Sequence, residues 1–186
     1  MNFVDNNFSE HLKVLNDSKA LNKMIIKISE LITESLKNGN KIIWCGNGGS
    51  AADSMHLSTE LVGRYKGNRK SLSSISLSAD SAVLTCIAND FGYEFVFSRQ
   101  IEGVGKSGDV LVCLTTSGNS SNIVKAITTA KYMNIKTILM SGNKGGKCSK
   151  LSDFELIIPS ESTARIQEMQ IFIGHTICDY IEVNFN

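Results

Sequence analysis

Cysteine and proline are scarce in the sequence, which has five cysteines and one proline, Pro159, among 186 residues. A single proline excludes a proline-rich linker. The cysteines are odd in number and form no C-x-x-C pair, so we expect neither a disulfide framework nor a thiolate zinc site. Charge of one sign is also lacking, because the formal net charge is +1. This balance gives no electrostatic reason to expect a nucleic acid or an anionic membrane as a partner.

Long hydrophobic runs are missing as well. No apolar stretch approaches the roughly 18–20 residues that cross a bilayer. The first residues, MNFVDNNFSEHLK, are polar and lack the apolar core of a signal peptide. We therefore expect a cytoplasmic protein. The length of 186 residues predicts a single domain over residues 1–186.

Hydrophobic spacing divides the chain into an N-terminal helical arm at 1–39 and an α/β core at 40–186. The predicted strands are 41–45, 73–77, 109–114, 135–140 and 154–158, and the helices between and after them are 50–63, 81–88, 93–104, 122–133 and 163–182. Strands that alternate with helices in this way predict a parallel sheet with helices on both faces. The fold class is therefore a three-layer α/β/α sandwich with a flavodoxin-like five-stranded sheet.

A glycine-rich turn, CGNGGSAAD at residues 45–53, follows the first strand and opens a helix. Glycines let a ligand approach the backbone, and the amides at a helix start favour an anion. Gly46, Gly48 and Ala51 also satisfy the dinucleotide fingerprint, although the acidic residue, Asp80, comes later than that fingerprint requires. A tight turn without a ligand is the remaining alternative.

A second turn, TTSGNSS at residues 115–121, has five hydroxyl residues in seven. Hydroxyls and helix-start amides can hold a phosphate, whereas simple N-capping needs only one such residue. We therefore expect anion binding here. A third segment, 142–148, resembles a Walker loop, but Cys148 stands where a magnesium-binding Ser or Thr is required. A nucleoside triphosphatase is not expected.

The chain has three histidines. His56 lies four residues before Glu60, so the two side chains share one helix face and suit a metal pair, a base with its partner, or a surface hydrogen bond. His175 lies in an apolar stretch, where a lone histidine is usually a core residue, and His11 is expected to be exposed. Gln167 precedes His175 by about 12 Å of helix axis. Either only one of these two residues is a tight metal ligand, or subunits contribute jointly.

Several short motifs, taken together, have a recognisable combination. They are CGNGGSAAD, His56-x-x-x-Glu60 followed by LVGRY, then ANDFG at 88–92, FSR at 97–99, TSGNS at 116–120 and ARIQE at 164–168. This combination closely resembles the phosphoheptose isomerases, a family with the sugar isomerase (SIS) fold. The resemblance covers nearly the whole chain, including the helical arm.

The resemblance implies an aldose–ketose isomerase. The reaction would convert D-sedoheptulose 7-phosphate to D-glycero-D-manno-heptose 7-phosphate through an enediol, the first step toward nucleotide-activated heptose for bacterial surface polysaccharide such as lipopolysaccharide or capsule. It also implies one zinc ion per subunit and a homotetramer with active sites between subunits.

The resemblance assigns roles residue by residue. The implied catalytic pair is Glu60 as base and His175 as acid. The implied zinc ligands are His56, Glu60, Gln167 and His175. The implied substrate contacts are Asn47, Gly48, Gly49, Ser50, Glu60, Asn89, Asp90, Thr115, Thr116, Ser117, Ser120 and Gln167.

Three positions depart from the family pattern: Thr115 replaces the more usual Ser, Ala164 stands where some relatives have Asp, and Gln170 stands where many have His. A rival interpretation comes from the same fold, which also serves non-catalytic sugar-phosphate-binding modules and a DnaA initiator-associating protein. A binding module needs neither the carboxylate of Glu60 nor the imidazole of His175, so their presence favours the enzyme.

Overall fold

The computed structural model describes residues 2–185. The helices are α1 (Phe3–Asp17), α2 (Asn22–Lys37), α3 (Gly49–Val62), α4 (Ser81–Phe91), α5 (Ser98–Val104), α6 (Ser121–Tyr132) and α7 (Thr163–Val183). The strands are β1 (Ile42–Gly46), β2 (Ser74–Ser76), β3 (Val110–Thr115), β4 (Lys136–Ser141) and β5 (Phe154–Ile157). The two terminal residues of the predicted 1–186 domain lie outside the described residues.

The five strands form one parallel sheet in the order β2-β1-β3-β4-β5. This is the flavodoxin-like order, so the predicted fold class is confirmed. The chain leaves β1 toward one edge of the sheet and returns to pair β3 on the other side of β1. The topological switch point therefore lies between β1 and β3, where ligands bind beyond the carboxyl ends of the strands.

Apolar residues cover both faces of the sheet, as a parallel sheet between two helical layers requires. On one face, Ile42 and Trp44 of β1 pack with α2, α3 and α7. On the other face, Ile43 and Cys45 pack with α4, α5 and α6. The resulting three layers hold α3 and α7 rigidly beside the switch point.

The N-terminal arm consists of two helices joined by a short 3₁₀ turn at Ser18–Leu21. Helix α2 is part of the core, because its Ile28 and Ile32 are fully buried. Helix α1 is attached to α7 by Arg165, which donates to the Asn7 carbonyl at 2.9 Å. His11 was expected to be simply exposed, but it is half-buried and bonds Glu168 at 2.7 Å, because α1 lies against α7.

One predicted helix, 93–104, is broken in the structure into a 3₁₀ turn at Tyr93–Phe95 and helix α5. Side chains explain the break, since Ser98 donates its hydroxyl to the Phe95 carbonyl and Gln100 donates its amide to the Val96 carbonyl. Such side-chain bonds compete with the backbone ladder. Within residues 2–185, none of the helices combines the length and apolar character that spanning a bilayer requires.

Candidate active site

The glycine-rich turn and the hydroxyl-rich turn are neighbours because they leave the carboxyl ends of the paired strands β1 and β3. The register places Gly46 of β1 opposite Leu114 of β3. The two segments, called the glycine loop (46–49) and the hydroxyl loop (115–120) from here on, therefore flank the switch point. This is where the fold forms a ligand crevice.

Two glycines of the glycine loop are required by its geometry. Gly48 has φ of 57° and ψ of −123°, a conformation that side-chain-bearing residues rarely adopt. Gly49 lies against the amide of Gln167, and any β-carbon at position 49 would collide with that amide. The glycines thus allow the chain to turn into α3 and allow α7 to approach the loop closely.

The hydroxyl loop is shaped in part by the side chains of Thr115 and Ser117, whereas Ser120 does not act as a helix cap. Thr115 accepts a hydrogen bond from the Gly118 N–H at 3.2 Å, and Ser117 accepts one from the Asn119 N–H at 3.2 Å. Ser120 occupies the N-cap position of α6, yet its side chain makes no capping bond among the described residues. Simple N-capping, the alternative to anion binding in this turn, therefore does not explain the hydroxyl of Ser120.

The segment 142–148, which resembles a Walker loop in sequence, braces the hydroxyl loop. The Cys148 N–H donates to the Gly118 carbonyl at 2.9 Å, and Asn143 donates to the Thr116 carbonyl at 3.2 Å. The Lys147 N–H donates to the Asn119 side chain at 3.0 Å. Its turn residues thus serve the shape of the neighbouring loop.

A small amide network links the two loops. Asn47 and Asn122 bond each other reciprocally through their side-chain amides at 3.0 and 2.8 Å. Tyr93 donates its hydroxyl to the Asn47 oxygen at 2.9 Å. The side chain of Asn47 therefore joins the glycine loop to the start of α6 and to the segment after α4.

A cluster of two histidines and one glutamate lies beside the loops. The Nε2 atoms of His56 and His175 are 2.9 Å apart, and His56 Nε2 is 3.2 Å from Glu60 Oε1. His56 and Glu60 come from one face of α3, and His175 comes from the facing side of α7. The side chain of His56 is about half-exposed, and that of Glu60 is largely covered. We call these three side chains the His/Glu cluster.

The residues of the His/Glu cluster fit a zinc ion. One ligand atom from each residue lies within 4.8 Å of the others. Two nitrogens bound to a tetrahedral zinc would lie about 3.3 Å apart, close to the separation of the imidazoles seen here. Asp53 lies one turn before His56, and its buried Oδ2 has no hydrogen-bond partner within residues 2–185. Burial raises the pKa of Asp53, an effect that the neighbouring imidazoles of His56 and His175 oppose.

Tyr65 closes one side of the cluster. Its ring centroid lies 5.5 Å from that of His175. The loop that holds Tyr65 is bound by buried Glu182, which accepts from the backbone N–H groups of Tyr65, Lys66 and Gly67. Burial would raise the pKa of Glu182, but these hydrogen bonds and the Arg69 charge lower it. Arg69 also donates to the Glu60 carbonyl at 2.7 Å, so this loop supports the end of α3.

The sequence-predicted residues do not all meet in one place. The glycine loop and the hydroxyl loop flank the switch point, and the His/Glu cluster lies on α3, which begins at the glycine loop, and on α7, whose Gln167 amide lies against Gly49. Asn89 and Asp90 are exposed at the end of α4 and bond each other at 2.8 Å. Ser50 is buried, and its hydroxyl donates to Gln170 at 3.2 Å.

Four residues near the crevice were missed from sequence. Asp53 could have been found, since it stands three residues before His56 on the same helix, and this spacing places the two side chains on one face. Tyr65 could also have been found, because it ends the LVGRY motif. Tyr93 and Asn122 could not, because they reach Asn47 only through tertiary contacts across 46 and 75 residues.

Comparisons with known proteins agree with this architecture. A family model described as SIS domain matches residues 6–142. Phosphoheptose isomerase 1 of Campylobacter jejuni is 48% identical over 185 residues, which cover 100% of both chains. The solved structures of phosphoheptose isomerases from Neisseria gonorrhoeae and Francisella tularensis superpose with TM-scores of 0.91 and 0.94, at 37% and 31% identity. The first alignment covers 97% of both chains, and the second covers 97% of this chain and 96% of the other.

The alignments with these relatives cover all or nearly all of the chain. The resemblance stated from the motifs is confirmed, as is the prediction that the protein is an enzyme of the isomerase class. The chain belongs to the phosphoheptose isomerase family of SIS-domain proteins.

Proposed function

We propose that this protein converts D-sedoheptulose 7-phosphate to D-glycero-D-manno-heptose 7-phosphate, as the first step toward nucleotide-activated heptose for surface polysaccharide. The observation that carries the proposal is the meeting of a carboxylate and two imidazoles from α3 and α7 beside two anion-type loops. An aldose–ketose isomerase needs such an arrangement, because it must hold a phosphate at one end and move protons at the other.

The hydroxyl loop is the proposed phosphate site. Thr115, Thr116, Ser117 and Ser120 stand at the start of α6, where helix amides favour an anion. The proposed contacts to the rest of the substrate come from the glycine loop and the residue after it (Asn47, Gly48, Gly49 and Ser50), and from Asn89, Asp90, Glu60 and Gln167. This division places the phosphate away from the His/Glu cluster, so that the carbonyl end of the sugar reaches the cluster.

The proton transfers are assigned to Glu60 and His175. Glu60 removes a proton from C1 of the ketose, the electron pair forms the C1=C2 bond, and His175 donates a proton to the carbonyl oxygen on C2. The enediol then loses the O1 proton to His175 and takes the proton from Glu60 at C2, which leaves an aldehyde at C1. Each acid or base contributes about 10²–10⁴-fold to the rate.

A zinc ion is part of the proposal, with His56, Glu60, Gln167 and His175 as its holders. Bound there, zinc would polarise the substrate oxygens. The nitrogen and oxygen donors of this set are common zinc ligands, except for the weaker amide of Gln167. Because Gln167 already lies against Gly49, we assign it a shared position between the glycine loop and the ion.

We further propose that residues 1–186 form a single domain and that four copies assemble with active sites between subunits. Support comes from α1, where Phe3, Phe8 and Leu12 are more than half exposed and leave an apolar face without cover. Light scattering should give a mass near four times 20.3 kDa. A stable and active monomer would rule out a shared site. The cytoplasmic location stays a prediction from the sequence.

The test of the proposed reaction is a turnover assay with sedoheptulose 7-phosphate, with the product identified by NMR. We expect an aldose 7-phosphate to form without added nucleotide. If the folded protein binds the sugar phosphate but forms no aldose, the reaction is wrong, and the chain acts as a non-catalytic sugar-phosphate-binding or DnaA-interacting module.

A further inference from the structure

Gln170 has no role in the mechanism above, yet it is a fully buried polar side chain that bonds residues at the carboxyl ends of two strands. It lies on α7. Its amide Nε2 donates to the Met140 carbonyl at 2.8 Å and is 3.4 Å from the Thr115 carbonyl. Its Oε1 accepts the Ser50 hydroxyl at 3.2 Å. A side-chain amide without solvent contact persists in a core only when it is bonded in this way.

The three partners of Gln170 belong to three different elements that end at the crevice. Thr115 is the last residue of β3 and the first of the hydroxyl loop. Met140 lies near the carboxyl end of β4, and Ser50 stands directly after the glycine loop. One amide therefore connects both loops of the proposed substrate site to the sheet.

Gln170 also stands one turn after Gln167 on α7, so the two amides lie on the same side of the helix. Gln167 lies against Gly49, whereas Gln170 bonds the following residue, Ser50. The helix that supplies His175 is thus fastened to the glycine loop at two successive points. A shift of Gln170 would move the start of α3 relative to the hydroxyl loop.

We infer that Gln170 is a positioning residue that sets the spacing between the glycine loop and the hydroxyl loop, and thereby the affinity for the substrate's phosphate-bearing end. The inference rests on the proposed function in that both loops bind the sugar phosphate. Gln170 contacts neither His56, Glu60 nor His175 in the contacts described above. Its loss should therefore weaken binding more than it slows proton transfer.

The test compares Gln170→Met with Thr137→Val. Methionine keeps the length of glutamine but removes its hydrogen bonds. Thr137 is the matched control. Like Gln170 it is fully buried and polar, and it belongs to β4, the strand that Gln170 bonds through Met140, but its partner Asp153 lies at the amino ends of the strands. We expect Gln170→Met to raise KM about tenfold with kcat within about threefold, the size of one lost hydrogen bond. Thr137→Val should lower Tm to a similar extent and leave KM unchanged.

A double-mutant cycle sharpens the result. If Gln170 acts through Ser50, Ser50→Ala combined with Gln170→Met should raise KM by less than the product of the single effects, because both variants remove the same bond. Gln170→His retains one donor and one acceptor and should restore part of the affinity. Gln170→Asn, whose shorter amide cannot reach all three partners, serves as the variant should Gln170→Met fail to fold, with a rise in KM expected.

An unchanged KM with a lowered Tm would show that Gln170 is only structural and would overturn the inference. A loss of kcat alone would place its effect at the His/Glu cluster and would also overturn it. The proposed reaction fails separately, through absence of turnover in the wild type. In that case, calorimetry with inorganic phosphate replaces KM, and the dissociation constant should rise by the same factor in Gln170→Met.

Discussion

The side of the sheet where the strands begin (the amino edge) and the side where they end (the carboxyl edge) have similar polar side chains with different roles. At the amino edge, Asp109 is fully buried and accepts from the Lys41 and Lys106 backbone N–H groups and from the Lys41 ammonium at 2.6 Å. Asp153 accepts from the N–H and hydroxyl of Thr137, and these bonds lower its pKa against the effect of burial. Each carboxylate there is paired within the protein, so it joins strands and loops.

At the carboxyl edge, the corresponding groups are crowded together but incompletely paired. The imidazoles of His56 and His175 bond only within the His/Glu cluster in the contacts given above, and among residues 2–185 the buried Oδ2 of Asp53 has no hydrogen-bond partner and the Ser120 side chain makes no capping bond. Convergent polar groups without internal partners have capacity left for a ligand, whereas fully paired groups do not. The comparison therefore separates the residues that hold the fold from those that we propose for the reaction.

Of the changes considered, removal of the metal should cause the largest loss of turnover, because it acts only at the carboxyl edge. After chelation, turnover should fall by about 10²-fold or more, because Glu60 and His175 lose the ion that organises them. The zinc content, measured by atomic absorption, should return to one per subunit on reconstitution, and His56→Ala should not recover it. A zinc-free folded protein that works at the full rate would demote the cluster to acid–base and structural roles.

Loss of the phosphate-side hydroxyls should have the next largest effect. In the double variant Ser117→Ala with Ser120→Ala, KM should rise about tenfold or more, since each side chain is proposed to bond a charged phosphate. Steady-state kinetics separates this outcome from its opposite. A fall in kcat with an unchanged KM would mean that the hydroxyl loop does not hold phosphate.

A change at the amino edge should leave the reaction almost untouched. Asp109→Asn removes the charge that Lys41 pairs with and should lower the free energy of unfolding by about 2 kcal/mol. Urea denaturation measures this loss. The kcat and KM should stay within about twofold of the wild type, because Asp109 bonds Lys41 and Lys106, at the other end of the strands from the proposed site. A large loss of turnover in a folded Asp109→Asn protein would contradict the view that the amino edge serves only the stability of the fold.

Much of the fold could be predicted from the sequence because its signals are local. A continuous apolar run placed the buried strand at 109–114, and the structure has it at Val110–Thr115. The glycine-rich turn after the first strand was likewise visible, whereas the positive φ of Gly48 and the approach of Gln167 to Gly49 emerge only from the structure. The break in the predicted helix 93–104 was not visible, because it depends on Ser98 and Gln100 side chains that take backbone carbonyls.

The candidate site was predictable only in part. His56 and Glu60 lie on one helix, so their spacing in the sequence indicated the pair. His175 lies in an apolar stretch that is typical of a core residue, and only the packing of α7 against α3 in the structure brings it to His56. The bonds of Gln170 to Ser50, Thr115 and Met140 span 30 to 120 residues of sequence, and no local pattern contains them. Residues whose role is to join distant loops are therefore the ones that sequence reasoning missed.

The central claim is that the reaction takes place at the His/Glu cluster with Glu60 as the base. The most direct test measures aldose formation by the wild type and by Glu60→Gln, together with calorimetric binding of sedoheptulose 7-phosphate to both. We predict that Glu60→Gln binds the substrate but turns it over about 10²–10⁴-fold more slowly. If a folded Glu60→Gln protein turns the substrate over at a rate within about tenfold of the wild type, the loss is smaller than a general base would cause, and the claim is contradicted.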